Sequence, residues 1–167
     1  MLYEGLVDEG FAVVKGARDR YDGIPRTPIQ RSPWCEVECG GHYARAMSSW
    51  SLLLAMSGFH YDGLTQTLRF QPLEQSADFK SFFTGPEGWG SLSRNAHGHS
   101  HEIKVVAGHV AITHLQIAAA STATKARVML GQNAVTVRLT HSADGALITF
   151  TQPLLVTQER GLTVHIS

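Results

Sequence analysis

The stretch Arg31–Gly63, RSPWCEVECGGHYARAMSSWSLLLAMSGFHYDG, decides how this chain is read. From about His42 to Ser57 the spacing is helical. Tyr43, Met47, Trp50 and Leu54 share one face, Leu52 lies opposite, and Leu53 and Ala46 fall between. A helix that is apolar all round is expected to be buried on all sides. Ser57-Gly58 and Asp62-Gly63 are its stop signals.

The residues before that helix bring Glu36, Glu38 and Arg45 to its entrance, with Trp34, His42 and Tyr43 close by. A guanidinium buried there costs several kcal/mol unless it is paired. Glu36 and Glu38 alternate along an extended segment, so only one of them faces Arg45. Two readings stay open: an ion pair stapling loop to helix, or a charged clamp on the hydroxyls of a polar ligand. A glycosidase acid–base couple is disfavoured, because Arg45 would keep its partner ionised and unfit to donate a proton. Trp34 and Tyr43 suit either core packing or stacking on a sugar face.

Upstream, Leu2, Leu6, Gly10, Val13 and Ala17 form one stripe, with Glu4, Asp8, Lys15 and Asp19 opposite. That is the pattern of an amphipathic helix over roughly Leu2–Arg20 with one buried face. Asp22-Gly23, Pro25, Pro28 and Pro33 then break it, and the long connection to Gly41 is of a kind that often carries function. An outer amphipathic helix followed by an inner apolar one is the repeating unit of a helical toroid. One such pair cannot bury its own inner helix, so a partner is expected.

Downstream of Gly63 the period shortens. Leu64, Leu68 and Phe70 are expected on one face of a first strand. Further strands are expected at Phe79–Thr84, Gly90–Ser93, Glu102–Ala107, His109–Ala118, Ala126–Leu130, Ala134–Thr140, Ala146–Phe150 and Leu162–Ile166. Ile112–Ala120 would also suit a helix. Ala143-Asp144-Gly145 is a hairpin signal. Strands at this spacing suggest a small antiparallel sandwich. The expected class is therefore α+β: residues 1–63 as helices and residues 64–167 as a β-rich, sandwich-like module.

With 167 residues, 43% of them hydrophobic and 17% charged, the chain has the composition of a globular protein. Its formal net charge of zero favours neither nucleic acid nor an anionic membrane. No apolar run reaches the length of a membrane span, and MLYEGLVDEG lacks the basic start and apolar core of a signal peptide. Cys35 and Cys39 fall short of a zinc site and read as ordinary thiols. His97, His99 and His101 would share one face of a strand and could then hold a metal. Their Gly/Ser/Asn setting favours solvent-exposed histidines instead. No phosphate-binding glycine loop, G-x-S-x-G elbow or H-E-x-x-H pair occurs.

The runs YEGLVDEGFAVVKGARDRYDG and RSPWCEVECGGHYARAMSSWSLLLAMSGFHYDG resemble the C-terminal end of the catalytic domain of glycoside hydrolase family 116. That family includes bacterial β-glucosidases and non-lysosomal glucosylceramidases. The resemblance covers roughly residues 2–70 and is most specific in PWCEVECGGHYARAMSSW; Phe82-Phe83-Thr84 and Gly88-Trp89-Gly90 continue it more loosely. It implies the last helix pair of an (α/α)6 toroid in a retaining enzyme whose two catalytic carboxylates lie upstream of this segment. It places the −1 subsite clamp on Glu36 and Arg45, with Glu38 as the alternative and Trp34 and His42 as further substrate-binding residues. It implies no cofactor and no metal. A β-glucoside or glucosylated lipid is the expected ligand, a separate N-terminal chain the expected partner, and the cytoplasm the expected location. Met1 is then the start of a truncated gene, a fragment or a split subunit. From another class comes a stand-alone carbohydrate-binding or subunit-association module on the β part, whose aromatic platform would be Trp89 with Phe82 or Phe83. A third reading is a remnant that associates through Trp50 and Leu52.

Overall fold

Eighteen consecutive residues, Ser100–Ile117, form one strand that organises the β-rich part of the molecule. The structure, a computed structural model, describes residues 1–19, 48–73, 78–95, 98–118, 123–142 and 145–167, the side chains of Ser48, Ser49 and Ser142 excepted. These residues fall into two units, Met1–Met56 and Ser57–Ser167.

In the first unit a 3-10 turn, Leu2–Glu4, ends at Gly5 in the left-handed region (φ 77°) and leads into helix α1, Val7–Asp19. Asp8 and Glu9 in its first turn and Arg18 in its last complement the helix dipole. Lys15 and Asp19 pair one turn apart. Leu2 is buried against Gly10, where an added Cβ would come within 2.7 Å of its side chain. Helix α2 runs over Ser48–Ser57.

The expected toroid pair is not what these helices make. Among the described residues strand accounts for 56% and helix for 19%, and the architecture is a large mixed sheet, which overturns the expected class. Of the expected stripe, Leu2 and Gly10 are buried, but Leu6, just ahead of α1, is 47% and Val13 within it 58% exposed, so only part of the stripe is covered. In α2, Trp50 is 65% and Leu53 46% exposed, so the helix is not buried all round. Apolar periodicity reports which residues could be covered; it does not supply the layer that covers them.

Helix α2 ends at the expected Ser57-Gly58 stop, and the second unit then opens with a short hairpin that the sequence pattern does not predict. β1, His60–Asp62, pairs with β2, Thr67–Phe70. The Asp62 carboxylate accepts from the Leu64 N–H (2.9 Å) and the Thr65 hydroxyl (2.7 Å), closing the turn. Leu64 sits in that turn, almost fully exposed, and not on the face of Leu68 and Phe70. The sheet continues through β3 (Phe79–Thr84), β4 (Gly88–Arg94), β5 (Ser100–Ile117), β6 (Ala126–Leu130), β7 (Asn133–Val135), β8 (Val137–Ser142), β9 (Gly145–Thr157) and β10 (Leu162–Ile166).

The first half of β5 pairs with β4 and β10, and the second half with β2 and β9. The order is β3-β4-β5-β10-β6-β7 on one wing and β1-β2-β5-β9-β8 on the other. β2–β5 is the one parallel pairing among the described strands. Both wings contribute to a single core: Leu68, Phe70, Ile112, Leu115 and Ile148 from one, Phe83, Leu92, Ile103, Leu162 and Val164 from the other. Phe70 of β2 lies 6.2 Å from Phe79 of β3, ring centre to ring centre, so the wings face one another.

Two irregularities set the phase of β5. The register shifts between Trp89 and Gly90 opposite Val105–Ala107, and again between Ile112 and His114. Each extra residue flips which parity points inward: Ile103 and Val105, then Val110 and Ile112, then Leu115 and Ile117. Gly90 makes the first shift possible, because a Cβ there would lie 1.9 Å from the Lys104 carbonyl oxygen. At the second, Gln66 accepts from the Thr113 N–H (2.9 Å), and β9 absorbs its surplus in the exposed Thr151-Gln152-Pro153. Pro153, which has no N–H to give a ladder, sits where no pairing is made.

Candidate functional site

Glu36, Arg45, Glu38, Trp34 and His42, with Tyr43, Cys35 and Cys39, lie outside the described residues. The site that the described residues do build is on the β unit, on the outer face of β3, β4 and the first half of β5.

Alternation decides it. Along β4, Gly90, Leu92 and Arg94 point inward, so Trp89, Ser91 and Ser93 point outward. Along β3, Ser81 and Phe83 are buried, so Lys80, Phe82 and Thr84 face out. Residues directly opposite share a face. Phe82 is paired with Ser91 and Lys80 with Ser93 on one side. Lys104 is paired with Ser91 and Glu102 with Ser93 on the other. Two small serines thus run along the middle strand between taller side chains on both flanks. Trp89, 50% exposed, stands at one end of the row, diagonal to Phe82. Lys104 and Glu102 bridge at 2.9 Å along the β5 flank. The result is a shallow trough with an aromatic end and a polar, locally neutralised rim. The backbones of β3 and β5, which carry its flanks, are about 10 Å apart, two strand spacings.

Of the aromatic platform expected on Trp89 with Phe82 or Phe83, Phe82 shares the outer face and Phe83 does not: it is fully buried and packs 5.7 Å from Phe59. Nothing in the sequence alone marks Ser91, Ser93, Lys80, Glu102 and Lys104 as a group. Their alternation in FKSFFT, GWGSLSR and HEIK is visible there; which residues stand side by side is not, because that is a matter of register.

The inner face of the same strands holds the second notable group. His101, expected at the surface, is 2% exposed on β5, directly opposite Arg94 of β4, itself 4% exposed. Neither ring nitrogen of His101 has a hydrogen-bond partner. Its ring meets Phe70 edge-on at 6.3 Å. Burial, and secondarily the Arg94 charge, push its pKa down from 6.5 to about 4, so the imidazole is neutral. His99 precedes the strand and is exposed, its Nδ1 3.2 Å from the Ile166 carbonyl oxygen, while His97 lies outside the described residues. His99 and His101 therefore do not share a face, and no group of three or more metal-ligating side chains occurs among the described residues. None of the described helices is long and apolar enough to cross a membrane.

Compared with known proteins, the chain matches no family model, and no curated protein matches it.

Proposed function

We propose that this chain is a sugar-binding part of a retaining β-glycosidase of the β-glucosidase and glucosylceramidase type, inactive by itself. The observation that carries the reading is the run Pro33–Trp50, in which Glu36 and Arg45 stand at the spacing of the clamp that the resemblance implies. The proposal rests on that run and not on a toroid helix pair. In it, the Glu36 carboxylate accepts from sugar hydroxyls and the Arg45 guanidinium donates to them, holding the glucosyl unit of a β-glucoside or glucosylated lipid. Orientation of this kind lowers the barrier for chemistry done by two carboxylates on another chain. The cytoplasm is the proposed location.

The test is hydrolysis of an aryl β-glucoside by the purified chain alone and with the adjacent upstream reading frame co-expressed. Activity only in the pair, falling about 100-fold in Glu36→Gln or Arg45→Ala, is the expected result. Activity of the chain alone, or of the pair unchanged by both substitutions, sinks the proposal.

One observation favours a second reading, a carbohydrate-binding or subunit-association module on the β unit: Trp89 is half exposed on the same outer face as Phe82.

A further inference from the structure

We infer that the outer face of the β1-β2-β5-β9-β8 wing carries an oxyanion site, built on Arg69, His114, Thr149 and Arg138, for the phosphate dianion of a small phosphate monoester. The inference goes beyond the glycosidase reading and does not depend on it.

Register brings the four residues to one place. Leu68, Leu115 and Ile148 stand directly opposite one another and are buried, and Leu139 beside them packs on the same core. Their neighbours along each strand therefore point outward. One outward rung runs through Thr67, His114, Thr149 and Arg138 across β2, β5, β9 and β8. The next runs through Arg69, Gln116 and Leu147. His114 Nδ1 lies 3.3 Å from the Thr149 hydroxyl oxygen, which ties the middle of the first rung together. Arg138 is directly opposite Thr149 on one flank. Arg69 is diagonal to His114 on the other, about 8 Å away between Cα atoms. Long side chains span such a diagonal, so two guanidiniums flank one imidazole–hydroxyl pair.

Their charge is unmatched. Neither Arg69 nor Arg138 forms an ion pair among the described residues. Arg69 is half-buried, and its Nε is shut off from solvent without a hydrogen-bond partner, so this side chain packs against its neighbours instead of trailing in water. Asp62 is the one acid in β1, β2, β8, β9 and the second half of β5. Its carboxylate is already taken by the Leu64 N–H and the Thr65 hydroxyl. Two cations that no acid neutralises attract an anion, and the guanidinium fork matches the oxygens of a phosphate.

Three features choose among anions. Two positive charges within reach of one spot favour a doubly charged group over a carboxylate. When the Thr149 hydroxyl donates to Nδ1, the His114 ring proton sits on Nε2 and can be given to a further ligand oxygen. A nucleic acid fits less well. Its affinity comes from many phosphates, one charge per about 1.7 Å of duplex, and the two rungs hold no Phe, Tyr or Trp on which a base could stack.

The experiment is calorimetric titration of the full chain at about pH 7.5, where a phosphate monoester is a dianion. The probes are phenyl phosphate, inorganic phosphate, phenyl sulfate and an oligothymidylate. The variants are Arg69→Ala, Arg138→Ala, their Lys counterparts, and Arg127→Ala, an exposed cation on the outer face of the other wing, each checked for folding by circular dichroism. The expected result is saturable binding of phenyl phosphate, weakened at least about tenfold by Arg69→Ala and by Arg138→Ala. Arg69→Lys and Arg138→Lys weaken it less, and Arg127→Ala leaves it unchanged. Phenyl sulfate, a monoanion, binds at least about tenfold more weakly. Loss of binding in Arg127→Ala as large as in the other two means diffuse attraction and overturns the site. Inorganic phosphate bound at least about tenfold more tightly than phenyl phosphate overturns the monoester as occupant. Oligothymidylate binding through the same arginines, without phenyl phosphate binding, assigns the face to nucleic acid and overturns the inference, as does silence from every probe. If the alanine variants unfold, nuclear magnetic resonance of the wild type with phenyl phosphate decides. Shifts centred on His114 support the site, and shifts confined to other strands overturn it.

Discussion

Arg94 and His101 stand directly opposite each other on β4 and β5, both facing inward and both buried. A guanidinium beside an imidazole with no hydrogen bond of its own is a costly arrangement for a sheet interior. It has a measurable consequence in acid.

The folded-state pKa of His101, about 4, lies below its ordinary value of 6.5, so the unfolded chain takes up a proton first. The stability contributed by the neutral ring is complete above pH 6.5 and is lost progressively as pH falls toward 4. The full loss is about 3 kcal/mol. Urea unfolding of the chain between pH 4 and 8 should show a falling midpoint below about pH 6.5. In His101→Leu that part of the slope should vanish; a slope equal to wild type would remove His101 as its source.

At pH 7 the same substitution should cost less than about 1 kcal/mol, or stabilise, because it removes two unsatisfied polar atoms from an apolar site. Chemical denaturation gives the value directly. A loss above about 3 kcal/mol would mean that the ring nitrogens are satisfied in solution.

Two aromatic residues in adjacent strands should behave oppositely. Phe83→Ala empties a fully buried position and should cost about 3–5 kcal/mol. Trp89→Ala removes a ring already half in water and should cost about 1 kcal/mol or less. Thermal unfolding of the two variants side by side decides it; equal losses would mean that Trp89 is core.

Gly90→Ala should be among the most damaging small changes in the β unit. Its Cβ would fall 1.9 Å from the Lys104 carbonyl oxygen and 2.9 Å from the Val105 Cα, both backbone atoms that cannot swing aside. Separating β4 from β5 there should cost about 3 kcal/mol or more. A variant as stable as wild type would show that the strands pair differently at the shift.

The individual strands were legible wherever alternation ran undisturbed. Phe79–Thr84, Ala126–Leu130 and Leu162–Ile166 are strands with the bounds expected from their pattern. A period-2 pattern splits Ser100–Ile117 into two strands, the first starting at Glu102, because the shift at Val105–Ala107 changes the phase. Ile112–Ala120, undecided between helix and strand, is strand as far as Ile117. His101 was misplaced because its neighbours in sequence, Gly98, Ser100 and Glu102, are polar or small, whereas its burial comes from Phe70 and Arg94 on other strands. Periodicity locates the helices but not what covers them: Leu6, Val13, Trp50 and Leu53 are apolar, yet all four are exposed.

From the sequence alone come the bounds of Phe79–Thr84, Ala126–Leu130 and Leu162–Ile166 and which of their residues share a face, but not the first hairpin, because β1 opens at His60, ahead of the start expected at Leu64. Those are local properties, written in spacing and side-chain chemistry along one segment. Tertiary structure alone decided that β5 joins two facing wings, that His101 is buried, and that Trp89, Phe82, the two serines and the Lys104–Glu102 pair line one trough. The reason is register. Which residue of one strand stands beside which residue of the next depends on shifts, turns and glycine contacts between distant segments, and a one-residue slip would turn every one of those side chains to the other face.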